Sequence, residues 1–117
     1  MTGERAVGRK RVWDRMRLRQ RVGLRVMNET LPGWWEHVDL DLLDMGDQHL
    51  CLLGQMPMGH NVNLRLLAGT DNWSAMHRFA WAHGLDVRYE DAVEHPEVDP
   101  YRLLTDMWRR DGRAGAS

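Results

Sequence analysis

Apolar positions in the N-terminal part of the chain recur at helical spacing. Trp13, Met16, Leu24 and Met27 fall near one face, Gln20 fills one slot, and Val12, Leu18, Val22 and Val26 widen the apolar surface. The pattern predicts a helix from Arg9 to about Thr30. Gly23 lies inside it and costs about 1 kcal/mol against alanine, a weak point that leaves room for a kink. Pro32-Gly33 ends the helix, because proline fixes φ and glycine permits a positive one. Residues 1–8 are polar and glycine-containing and read as a flexible N-terminus.

From Trp34 the apolar pattern becomes denser and less regular. Trp34 and Trp35 follow the turn directly. Val38, Leu40, Leu42, Leu43 and Met45 alternate with Asp39, Asp41, Asp44 and Asp47, and Leu50-Cys51-Leu52-Leu53 closes at Gly54. Turns of helix are expected over residues 34–38 and 41–45, and a short buried helix over 48–55. Asn61 can cap a helix running through Leu64, Leu66 and Leu67 to Gly69. Asp71 can cap the next, with Trp73, Met76, His77, Ala80 and Trp81 on its buried side and Gly84 and Leu85 folding back at its end. Residues 86–89 read as irregular and residues 90–95 as a turn of helix stopped by Pro96. The last helix has the clearest start: Asp99 as N-cap and Pro100 at the first helical position. Tyr101, Leu104, Met107 and Trp108 form its apolar face, Arg109 and Arg110 complement its dipole, and Gly112 closes it.

The expected fold is therefore all-α: a single small domain of four or five short helices over residues 9–112, with 113–117 as a loose tail. Composition supports helix over sheet. Isoleucine is absent, and six Trp and eight Met stand against one Phe and two Tyr. A lone cysteine, Cys51, rules out an internal disulfide and fits a reducing compartment. No apolar run approaches the roughly 18 residues of a membrane span, and the N-terminus lacks a signal-peptide core, so the expected location is cytoplasmic.

Charge changes the picture most. Residues 1–25 hold nine of the sixteen Lys and Arg, for a net +7; the remaining residues carry a net −8. Arg9, Lys10, Arg11, Arg15, Arg17, Arg19, Arg21 and Arg25 form one set that can track phosphates or an acidic protein surface. The same residues can instead be a solvated face, or fold against the chain's own acidic remainder. Two adjacent tryptophans cannot easily both point inward, so one of Trp34 and Trp35 is expected to contact a partner.

No catalytic motif stands out, and no cofactor is implied. Cys51 with His49 or His60, and Glu36 with His37, are the pairs with the right chemistry, but neither sits in a recognisable frame. His49, Cys51 and His60, with His77 or His83, are weak candidates for a metal, since zinc accepts mixed nitrogen and sulfur ligands. The aspartates of 39–47 miss the calcium-loop pattern: Leu43, Asp44 and Leu50 stand at three of its required positions. Helix capping and exposure explain them more simply.

Several short motifs, Met27-Asn28-Glu29, Pro32-Gly33-Trp34, Asp39-Leu40-Asp41, Leu43-Asp44-Met45, Cys51-Leu52-Leu53-Gly54-Gln55 and Leu104-Thr105-Asp106-Met107-Trp108-Arg109, occur in an order that resembles a family of short actinobacterial and actinobacteriophage proteins. The family pattern has an acidic LDE where Met-Asn-Glu stands here, and often a second cysteine where His49 stands. That family has no established activity, so the resemblance implies kinship and origin, not chemistry. The reading that results is a non-enzymatic module that binds a macromolecule. The alternative is a nucleic-acid-binding protein using the arginine-rich helix, and a third is a metal- or thiol-dependent enzyme centred on Cys51.

Overall fold

The apolar stripe of the N-terminal segment does form one helix. In the computed structural model, which describes residues 2–116 and side chains from Val7 onward, α1 spans Thr2–Thr30. It begins before Arg9, inside the segment expected to be flexible. Met1 and Ser117, part of the expected loose ends, lie outside the described residues. Val12, Met16, Gln20 and Met27 are buried along one stripe of α1. Gly23 causes no break. It is where α1 meets the end of another helix: a Cβ there would lie 1.7 Å from the carbonyl oxygen of His83. The glycine allows two backbones to touch.

A 3-10 turn, Trp34–His37, follows Gly33, whose φ is +75°. No helix forms over 41–45. Asp39 Oδ1 instead accepts the backbone N–H groups of Asp41 and Leu42, and Asp44 that of Gly46. Short acidic side chains thus capture local N–H groups and favour turns over helix. Asp47 does the same for His49 and Leu50, which delays α2 to Leu52–Gln55 with Cys51 as its N-cap.

Helix α3, Gly59–Ala68, starts before Asn61, and its closing glycine is Gly69, as expected. Helix α4, Trp73–Ala82, is capped by Asn72, which accepts from Ala75 N–H at 2.9 Å, and not by Asp71. Trp73 is 65% exposed and leaves the expected buried face. Gly84 and Leu85 close α4 as the sequence predicts: Leu85 N–H donates to Ala80 and Gly84 N–H to Trp81. Helix α5 is Tyr89–Val93 and α6 is Pro100–Arg113, capped by Asp99 with Pro100 in the first turn. Gly112 does not end α6. It is buried against Leu40, and the reversal occurs at Gly115, φ +69°.

The described residues are thus mostly helical, with six α-helices and no strand among them. Helix α1 packs on α6 and α4, α3 packs on α4, and α2 packs on α3. Trp34 and Trp108 are fully buried and meet edge to face, with ring centres 5.5 Å apart. The Trp108 indole N–H donates to the Gly84 carbonyl at 2.6 Å, and the Trp34 indole N–H to Asn28 at 2.9 Å. Asn28 in turn donates to the carbonyl of Ala116, joining α1, the 3-10 turn and the C-terminus.

Candidate interaction face and thiol pair

Burying one stripe of α1 forces its arginines to divide between neighbours and solvent. Three are engaged internally. Arg17 donates to Asp111 at 2.7 Å, and the same carboxylate accepts from Gln20 at 2.8 Å. Arg19 pairs with Asp91, a fully buried carboxylate. Arg15 lies 3.3 Å from Asp91 and 2.9 Å from Glu94. The Arg15 hydrogen bond holds the Glu94 carboxyl below its ordinary range and in return raises the Arg15 guanidinium. Asp91 also accepts the backbone N–H of Arg88, so one carboxylate caps α5 and docks α1.

The remaining cations divide differently. Arg9, Lys10, Arg11, Arg21 and Arg25 are exposed. Lys10 pairs with Asp14 on the surface, whereas Arg9, Arg11, Arg21 and Arg25 make no ion pair among the described residues. Between them lie two exposed apolar side chains, Leu18 at 72% and Val22 at 51%. A cavity of about 430 Å³ runs beside this face, lined by Arg21, Val22, Leu24, Arg25, Asn28 and Glu29. The sequence pattern assigned Leu18 and Val22 to the widened apolar surface of the helix. Only the packed structure separates them from the core, because α4, α5 and α6 cover just one side of α1.

The tryptophan pair splits. Trp34 is sealed in the core, so its expected part in partner contact is replaced by packing; Trp35 is partly exposed and meets Trp34 edge to face at 5.7 Å.

Cys51 and His60 come together. The Sγ to Nδ1 distance is 3.3 Å, and Gly54 N–H also donates to the sulfur at 3.3 Å. Cys51 is buried, and that burial pushes its thiol up from the ordinary range. Burial also lowers His60, with Asp86 opposing the shift. Burial thus favours the neutral thiol and the neutral imidazole in this contact. His49 is exposed and does not join them, and Glu36 and His37 are both exposed. Among the described residues no three His, Cys, Asp or Glu are grouped to hold a metal. His77 and His83 are occupied elsewhere, facing Asp86 and the Phe79 carbonyl.

The short motifs converge on structural contacts. Arg109 donates to the Leu40 carbonyl at 2.8 Å and the Leu43 carbonyl at 3.0 Å, so its guanidinium serves the loop. Thr105 accepts Met45 N–H, and Gln55 accepts Asp39 N–H. Compared with known proteins, the chain matches no family model, no curated protein and no solved structure. No helix among the described residues is long and apolar enough to cross a membrane.

Proposed function

We propose that this chain is a non-enzymatic binding module that engages a macromolecular partner through the outer face of α1. The observation supporting this reading is the division of the arginines. Arg15, Arg17 and Arg19 are neutralised by the chain's own carboxylates, while Arg11, Arg21 and Arg25 stay unpaired around exposed Leu18 and Val22. Cations beside apolar side chains at one surface are the composition of a contact site. The resemblance to actinobacterial and phage proteins adds a setting: an accessory role in a bacterial cytoplasm, directed at the host where the protein is phage-encoded.

A second reading is nucleic-acid binding. Arg9, Lys10, Arg11, Arg21 and Arg25 are exposed along about 24 Å of helix, enough to reach several phosphates. Both readings use α1, and neither uses Cys51.

The test is affinity capture from an actinobacterial lysate with the full chain and with the Arg11→Glu, Arg21→Glu, Arg25→Glu triple variant, whose changes all lie at exposed positions. The reading predicts a stoichiometric protein or nucleic acid retained by the wild type and lost by the variant. Identical retained material with both would overturn it.

A further inference from the structure

Resting on that reading, we infer that the outer face of α1 is built to receive an acidic amphipathic helix of another protein. Leu18, Val22 and Val26 follow one another at i, i+4 and i+8, the spacing of a ridge that packs against a partner helix. Arg21 and Arg25 lie along one flank of this ridge, and Arg11 about two turns N-terminal of Leu18. The cavity beside Val22 and Arg25 gives a partner side chain a place to enter. The complement of this face is an apolar stripe bordered by carboxylates, repeating every three to four residues.

Other occupants fit less well. A second copy of α1, paired antiparallel about Leu18, sets Arg11 opposite Arg25; paired parallel, it sets each arginine opposite itself. The chain's own acidic segment is already committed: Asp39, Asp44 and Asp47 accept backbone N–H groups, and Asp41 pairs with Arg113 at 2.7 Å. A phosphate backbone satisfies the arginines but leaves Leu18 and Val22 without apolar contact.

The experiment uses the full chain and three labelled probes read by fluorescence anisotropy. The first is a helix-forming peptide with a leucine pair at i and i+4 flanked by glutamates. The second is the same composition with the leucines scattered, and the third is a mixed-sequence DNA duplex. The expected result is that the ordered peptide binds at least about tenfold tighter than the scattered one. Leu18→Ala and Arg25→Glu should each weaken it about tenfold. Equal binding of both peptides overturns the inference. So does tighter binding of the duplex that is lost in Arg25→Glu and untouched by Leu18→Ala; in that case the α1 face remains the binding surface and only its partner class changes. Binding of none of the probes overturns the inference while leaving the lysate capture to decide the broader reading.

Discussion

Trp108 shows how much one side chain carries. Its ring is fully buried, stacks edge-on against Trp34 and anchors the turn at Gly84 through its indole N–H. Trp108→Ala should therefore cost about 3–5 kcal/mol in a urea melt, as large-to-small changes of buried aromatics do. Exposed Pro32→Ala, by comparison, should cost well under 1 kcal/mol. Cys51 gives a second expectation. Because burial raises its thiol, the folded state holds the proton more tightly than the unfolded chain. The associated stability is complete below the unfolded thiol pKa, about 8.5, and is lost as pH rises toward the higher folded value. Alkylation of the native protein by iodoacetamide at pH 8 should accordingly be much slower than that of the urea-unfolded chain. Equal rates would show that the thiol is neither buried nor shifted.

At the scale of elements, two carboxylates decide how α1 sits. Asp111 of α6 receives Arg17 and Gln20, and Asp91 of α5 receives Arg19 and Arg15. Removing one partner of a buried pair leaves the other charge uncompensated, which costs about 3–5 kcal/mol. Asp91→Asn should lower stability by that order, measured by denaturant melt, and should loosen α1 from α5. A loss no larger than that of a surface substitution would mean that the pair is solvated. The glycine contact works beside these pairs. Gly84 approaches Gln20 so closely that a Cβ would lie 2.3 Å from its Cα, matching the Gly23 contact with His83. The sequence pattern treated Gly23 as a weak point because the partner backbone at His83 is far away along the chain. The helix periods of α1 and α6 were legible from apolar spacing, as were the proline start of α6 and the glycine end of α4. The turns of 38–51 were not, since they depend on which aspartate captures which N–H.

Over the whole molecule, the split of charge between the first 25 residues and the rest has a structural use. The acidic remainder supplies Asp91, Glu94 and Asp111, which dock three arginines and leave the outer ones exposed. In the sequence all eight cations form one set, because ion pairs between residues this distant in the chain carry no local signature. Cys51 and His60 lie close in the chain and stand out as a pair, but spacing alone does not separate them from Cys51 with His49. Val12, Met16 and Gln20 are core residues, so the arginine-rich segment is no detachable arm, and deleting it would remove part of the fold along with the surface. Helix α1 is thus integral to the fold, held by α4, α5 and α6, with only its outer face left open. Amide hydrogen exchange on the full chain tests this most directly. Amides of residues 16–27 should exchange as slowly as those of α6, through global unfolding. Exchange of that segment far faster than α6, as from an independently fraying arm, would contradict it.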